Sequence, residues 1–220
     1  MQLLYEDKEI ICVEKPIGVP VQPDPSGDKD LMSLVREEKG LKSLYLVHRL
    51  DRTVGGAVLF AKSSASAAKW SAAFADRLVE KIYYLVCAGA PESEGEMRDF
   101  IRKESAASKA FITKGPHGGA KEGVLSYRTL ARAEDGGEPC ALVRVSLLTG
   151  RFHQIRVQFA SRRMPLFGDG KYGSRIKSEN IGLWSHKIEI NAPQNEKTQI
   201  FTAPPPSENP WSQFDMTDLH

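Results

Sequence analysis

At 220 residues and 41% hydrophobic composition, the chain can bury a substantial core and fits one large domain better than two independent ones. Its formal net charge of +2 is too small to establish a nucleic-acid partner on its own, because a basic footprint has to be clustered in space. No apolar run is long enough to cross a bilayer, and the start, MQLLYEDKEI, has acids where a signal peptide would have a basic segment and an apolar core. A soluble, cytoplasmic protein is therefore expected. Cys12, Cys87 and Cys140 are widely spaced, odd in number and set mostly in apolar runs, so they read as buried free thiols and not as a disulfide framework or zinc site.

Along the chain, residues 9–15 (EIICVEK) read as a buried strand and PIGVPVQPDPSGD as a proline-rich loop. A short helix is predicted over Leu31–Lys39. YLVH leads into a turn around Asp51, and AVLFAK is the strand that leaves it. From Ser63 or Ser64 as N-cap, an alanine-rich helix is predicted to run to about Val79, with Ala67, Trp70, Phe74 and Leu78 as its packing stripe. Residues 80–88 (EKIYYLVCA) form a β-branched and aromatic strand, and VLSYRTLARA and CALVRVSLL flank Asp135, Gly136 and Gly137 as a hairpin would. Thr149 is the expected cap of a helix beginning near Arg151, with Phe152, Ile155 and Phe159 on one face. GLWSHKIEI and TQIFTAPPP read as two more strands, and 204–220 as a surface tail. Sequential strands with few helices imply an α+β fold: a mixed, mostly antiparallel β-sheet core flanked by helices and loops, in a single domain over 1–220.

Several chemistries lack their residues. No glycine-rich phosphate loop follows a strand and opens a helix, and no G-x-S-x-G elbow occurs. His48, His117, His153, His186 and His220 do not form paired ligand spacings, so no metal is expected. Two runs stand out. In HRLDRTVGGAVLFAK one carboxylate, Asp51, sits between Arg49 and Arg52, which favour its ionised form, and is followed by Gly55 and Gly56, which let the backbone turn tightly or approach a ligand closely. A turn with surface ion pairs explains those residues equally well. TGRFHQIRVQFA packs Arg151, His153, Gln154 and Arg156 beside an apolar stripe, as a solvated helix face would, or as a site in which Arg151 reaches a buried carboxylate.

Five stretches, in this order along the chain, resemble the RluA-type pseudouridine synthases: EKPIGVPVQP, VHRLDRTVGGAVLFAK, EKIYYLV, GRFHQIRVQFA and PLFGDGKYG. The resemblance covers about Leu4 to Phe201. It implies an RNA pseudouridine synthase, an isomerase that converts uridines of rRNA or tRNA to their carbon-linked isomer without a cofactor. By that resemblance Asp51 is the catalytic aspartate, Tyr83 the active-site tyrosine and Arg151 the basic partner of Asp51. Arg49 helps to fill the space of the flipped nucleotide, and His48, His153, Gln154 and Arg156 join it in binding substrate. Isomerisation breaks the ribose–nitrogen bond, turns the uracil and rejoins it through carbon, with no redox change and no added group, so one carboxylate suffices.

This chain departs from the pattern at Val54, Gly55 and Gly56, where many relatives have threonine, serine and glycine. Many relatives also carry an amino-terminal RNA-binding module, whereas here the catalytic domain is expected to begin almost at Met1 and to recognise RNA by itself, as a monomer with no obligate protein partner. Two other classes stay open: a non-catalytic RNA-binding or RNA-folding protein, and an aspartate-dependent hydrolase, which would usually want a second carboxylate near the first.

Overall fold

The computed structural model describes residues 1–76, 78–190 and 198–216. In chain order its elements are β1 (Gln2–Glu6), β2 (Ile10–Lys15), α1 (Leu31–Lys39), β3 (Tyr45–Leu46), β4 (Gly55–Ala61), α2 (Ser64–Ala75), β5 (Val79–Ala88), β6 (Glu94–Glu104), β7 (Lys109–Thr113), β8 (Lys121–Asp135), β9 (Glu138–Leu147), α3 (Gln154–Ser161), β10 (Leu183–Ile190) and β11 (Gln199–Thr202), with short 3-10 turns at Gly170–Tyr172 and Trp211–Gln213. Where composition suggests one domain, the chain divides into two compact units: residues 1–81 with 184–205, and residues 82–183 with 206–220.

In the first unit the strand order is β1–β2–β4–β10. β2 runs antiparallel along one edge of β4. The other edge is shared by β10, parallel at Gly55 and Gly56, and by β3, antiparallel at Phe60 and Ala61. β11 pairs antiparallel with β10. Every residue of β4 is buried, and Ile10, Cys12, Leu59, Trp70, Ile188 and Phe201 form the core around it. Helix α1 occupies its predicted range because its ends are capped. The Asp30 carboxylate accepts from Ser33 N at 3.0 Å, and Gly40, at φ +61°, closes the other end with its N–H on the Arg36 and Glu37 carbonyls.

Helix α2 starts where expected, with Ser63 Oγ accepting from Ser66 N at 3.1 Å, but stops at Ala75, a turn earlier than predicted. The β-branched run from Val79 is drawn into β5, so Leu78 falls outside the helix and is exposed instead of completing the stripe. Residue 77 of that predicted helix lies outside the described residues.

The second unit is an antiparallel ladder, β5–β9–β8–β6–β7. The β8–β9 hairpin forms as read: Asp135 faces Glu138, and Gly136 (φ +58°) and Gly137 (φ +84°) make the two-residue turn whose positive angles match the strand twist. β6 and β7 have no counterpart in the sequence reading. The Glu94–Glu104 run is so charged that its inward residues, Met97 and Ile101, are too sparse to announce a strand. The end of the chain corrects another expectation. Pro210, Trp211 and Phe214 are buried and Cys140 Sγ lies 3.9 Å from Gln213 Oε1, so 204–216 is docked at its aromatic residues and is not a surface tail. The last four residues, His220 among them, lie outside the described residues. All three cysteines are buried and free, and burial pushes the Cys12 and Cys87 thiols up to about 12.

Candidate active site

Asp51 sits in the first unit, half-buried between buried Leu50 and Val54, in a turn closed by Val54 N donating to Asp51 O at 3.0 Å. The turn is held from below by Lys15, the last residue of β2, which is fully buried. Its ammonium donates to the carbonyls of Pro16 at 2.9 Å, Val19 at 2.6 Å and Arg52 at 3.0 Å. Gly18 N donates to the same Arg52 carbonyl at 2.9 Å. The proline-rich loop and the Asp51 turn therefore meet at one backbone oxygen. Burial pushes the Lys15 ammonium down to about 7, the charge of Asp51 works against that shift, and Arg52 adds to it. Three carbonyls match the three protons of an ammonium, whereas a neutral amine would turn a lone pair toward one of them.

The flanking residues are placed differently from one another. Arg52 turns outward, to Ser26 Oγ at 2.8 Å and to the carboxylates of Asp28 and Asp24. Arg49 is exposed. His48 belongs to the scaffold: its Nε2 accepts the Leu59 N–H at 2.9 Å and its ring stacks on Phe74, with centroids 4.9 Å apart. Burial, with Lys81 nearby, pushes its pKa down to about 3, so the imidazole is neutral and Nδ1 carries the proton.

Gly55 and Gly56 answer to packing and not to a ligand. A Cβ on Gly55 would stand 2.2 Å from the Trp184 ring, and one on Gly56, at φ +112°, 2.2 Å from the Ser185 carbonyl oxygen. The glycine pair is what lets β4 lie against β10, and it gives Gly55, where many relatives have serine, a structural reason.

In the second unit, Tyr83 is buried in the middle of β5, opposite Val145. Arg151 lies in the loop between β9 and α3. Its Nε donates to Glu122 O at 2.8 Å, and its backbone N–H donates to Gln154 Oε1 at 3.0 Å. Gln154 Oε1 also accepts from Thr149 Oγ1 at 2.7 Å, and Thr149 Oγ1 in turn accepts from Val124 N at 2.8 Å. Thr149 thus anchors the loop to β8 and does not cap the helix. The helix begins three residues later than predicted, at Gln154, after His153 in the left-handed region (φ +51°), so Phe152 stands outside it.

The polar face of this helix is buried, not solvated. Arg156 makes a two-pronged ion pair with Asp169, with both bonds at 2.8 Å and neither side chain more than 6% exposed. Gln158 Nε2 donates to the Asp99 carboxylate at 2.7 Å and reaches the carbonyls of Met97 and Gly123. His153 Nδ1 lies 2.9 Å from Tyr172 Oη, which accepts the Ala110 N–H at 2.7 Å. One hydrogen bond therefore joins the phenol to Nδ1. The ring is neutral, as burial and then the charges of Arg156, Lys171 and Lys103 require, which push its pKa down to about 3.

Of the residues expected to bind substrate, His48, His153, Gln154 and Arg156 thus hydrogen-bond inside the protein, with the buried Gln154 Nε2 left without a partner, and Arg49 alone is exposed. Sequence reasoning missed Lys15, Asp169 and Tyr172. Their signals were a lysine ending an apolar strand just before a proline, and an acid and a tyrosine in the glycine-rich stretch 165–173.

The mixed sheet, the acid turn and the Arg-x-His-Gln-x-Arg helix entry define a pseudouridine synthase type of catalytic fold. A family model described as RNA pseudouridylate synthase matches residues 9–161, and the chain belongs to that family. It is 36% identical over 177 residues to a ribosomal large subunit pseudouridine synthase C of Rickettsia bellii, covering 78% of this chain and 56% of that protein. It is 29% identical over 217 residues to a tRNA pseudouridine synthase C of Vibrio parahaemolyticus, covering 92% of this chain and 86% of that one. The chain spans 56% to 62% of the length of the curated relatives it matches first. The solved human RNA pseudouridylate synthase domain containing 1 shares its fold, with a TM-score of 0.79 at 23% identity over 96% of this chain and 85% of that one.

Proposed function

We propose that the protein isomerises specific uridines in rRNA or tRNA to pseudouridine, with Asp51 as the catalytic carboxylate. The observation that carries this reading is the Asp51 turn itself: a half-buried acid on a loop clamped from beneath by a buried lysine at the neighbouring carbonyl. Such a clamp is what a reacting carboxylate needs if it is to be held in one place. The turn also falls inside the stretch matched by the family model.

In the reaction the bond from ribose C1′ to uracil N1 breaks, the base turns, a bond forms from C1′ to C5, and the hydrogen on C5 is replaced by one on N1, so atoms and electrons balance within the substrate. Asp51 acts on the sugar or the base while that bond is open. Arg151 supplies the charge that keeps it ionised, and Tyr83 offers a ring on which the detached uracil stacks. Arg49, exposed beside Asp51, fills the space left by the extruded nucleotide, whose unstacking costs a few kcal/mol. His48, His153, Gln154 and Arg156 serve this site by holding its loops. The reading includes a cytoplasmic monomer that needs no cofactor and no obligate protein partner. No helix among the described residues is long and apolar enough to cross a membrane.

The test is to incubate the purified protein with unmodified rRNA and tRNA, without metal or cofactor, and to quantify pseudouridine by mass spectrometry. The wild type forms it and Asp51→Asn, folded by its urea midpoint, does not. Equal product from both removes Asp51 from its role. A pseudouridine map of cellular RNA with and without the gene identifies the target, and an unchanged map counts against the activity.

A further inference from the structure

The second unit carries a group of cations and rings that the reaction above does not use. β6 and β7 form a hairpin whose ends bear Lys103 and Lys109. The Lys103 ammonium stands 4.7 Å from the centroid of the Phe152 ring, and that of Lys109 stands 5.1 Å from the Tyr172 ring and 5.7 Å from the Phe111 ring. A third cation, Lys171, reaches across from the 170–172 turn and donates to the carbonyl of Ser108 at the hairpin tip, at 3.1 Å. Lys103 and Lys171 are exposed and Lys109 is half-buried. Among the described residues none of the three forms an ion pair with a carboxylate. Glu104 faces Lys109 in the ladder without bonding to it.

What distinguishes these lysines from an ordinary solvated face is the support beneath them. Phe152 stacks on His153, with centroids 3.9 Å apart and planes 19° apart. His153 is bonded to the Tyr172 phenol, which holds the Ala110 N–H of β7, and Arg156 lies 5.2 Å from the Tyr172 ring while paired to Asp169. Hairpin, turn and helix entry are therefore tied into one piece. A lysine resting on an aromatic ring, with its stem packed, has already lost much of the freedom that binding an anion would otherwise remove. Several such ammonium groups spread over a hairpin and a turn suit a repeating anion better than a single one. Phe152 follows Arg151 directly in the chain, so the patch adjoins a residue assigned to the chemistry.

We propose that Lys103 on Phe152, Lys109 on Tyr172 and Lys171 on the Ser108 carbonyl form a docking surface for the phosphodiester backbone of the substrate RNA outside the target uridine. The choice of RNA rests on the proposed function.

The test uses the full chain carrying Asp51→Asn, so that no turnover occurs. Its affinity for a fluorescein-labelled RNA stem-loop and for labelled oligouridylate is measured against KCl concentration. Replacing all three lysines with glutamine is expected to weaken binding about 10-fold or more and to reduce the slope of log affinity on log salt by about 2, at roughly 0.7 for each of three phosphates no longer neutralised. The Lys103→Arg, Lys109→Arg, Lys171→Arg protein keeps the slope, and so does Lys8→Gln, an exposed lysine between β1 and β2. An unchanged slope in the glutamine protein overturns the proposal. So does polyglutamate that binds as tightly as RNA and loses its affinity with the same lysines, an outcome that assigns the surface to an acidic protein. Pseudouridine assays on the Asp51 forms keep the two readings apart. Salt slopes that change in a wild type without activity leave the surface standing and remove the isomerase, and unchanged slopes in an active wild type do the reverse.

Discussion

Lys15 donates a hydrogen bond to the carbonyl of Arg52 at 3.0 Å, which ties the buried end of β2 to the residue directly after Asp51. That carbonyl also accepts from Gly18 N, so a single oxygen joins the proline-rich loop to the acid turn. The acid is thereby positioned through the backbone of its own turn. Replacing the lysine should disturb placement and stability together. In Lys15→Met the carbonyls of Pro16 and Val19 lose the ammonium donor while that of Arg52 keeps the Gly18 N–H, and at about 1 to 3 kcal/mol for a buried group left unsatisfied the total cost is expected to be about 3 kcal/mol. Urea unfolding measures that cost. Single-turnover pseudouridine formation by the folded fraction should fall about 10-fold, the scale of a slightly misplaced catalytic group, and an unaltered rate would show that the clamp does not position Asp51.

Gly56→Ala should be more damaging than Gly55→Ala. At Gly56 the new methyl would meet a backbone oxygen at 2.2 Å with φ at +112°, and neither the carbonyl nor the angle has an alternative within the β4–β10 ladder. At Gly55 the obstacle is the Trp184 ring, a side chain that can shift. Strain of this kind amounts to roughly 1–3 kcal/mol at each source, so about 3 kcal/mol or more is expected for Gly56→Ala. Urea midpoints of the two variants rank them, and equal midpoints would contradict the argument.

The two buried imidazoles predict acid sensitivity. Both His48 and His153 have pKa values pushed down to about 3 from an ordinary 6.5. Between those values the unfolded chain binds protons that the folded chain does not, so stability rises as pH increases from about 3 to 6.5 and is lost on acidification through that window. Melting temperatures across it should climb with pH. His153→Asn should flatten the climb, and NMR of the wild-type imidazole carbon-bound protons should show both rings neutral at pH 5.

Asp169→Asn leaves the Arg156 guanidinium buried without its counter-charge. Breaking one side of a buried pair costs about 3–5 kcal/mol, far more than loss of a surface ion pair such as Lys29 with Glu37. The same change frees Arg156, which also lies against Tyr172, so hydrogen exchange at Ala110 N, the amide held by that phenol, should accelerate more than exchange in β9. Uniform acceleration throughout the second unit would indicate global destabilisation alone.

Much of the fold could be read from the order of residues because it rests on local rules. The Asp30 cap and Gly40 stop delimit α1, Ser63 begins α2, and Gly136–Gly137 forces the β8–β9 turn; each acts within a few residues of itself. β6 could not be read, because its strand character comes from lying between β7 and β8 with Gln158 bonded to its Met97 carbonyl and to Asp99, which is support from distant residues. The end of α2 was misplaced for a related reason: helix propensity continues past Ala75, but pairing in a sheet claims Val79.

The candidate site divides in the same way. Asp51, Tyr83 and Arg151 were legible as residue types at motif spacing, which is a property of sequence. The employment of the polar residues around them was not. Arg151, His153, Gln154 and Arg156 read either as a solvated helix face or as a site in which Arg151 reaches a buried carboxylate, and nothing local names Tyr172, Thr149 and Asp169, which arrive from elsewhere in the chain to bond the last three. Gly55 and Gly56 read as freedom to turn tightly or to approach a ligand until β10 is seen to occupy the space. By itself the sequence determined where the chain turns, which stretches are strands and helices, and which acid is singled out, since caps, glycines and apolar periodicity act locally. Only the tertiary structure decided that Lys15 holds the acid turn and that His48 and His153 are neutral and bonded within the protein, because burial and hydrogen-bond partnership are made by residues far apart in the chain.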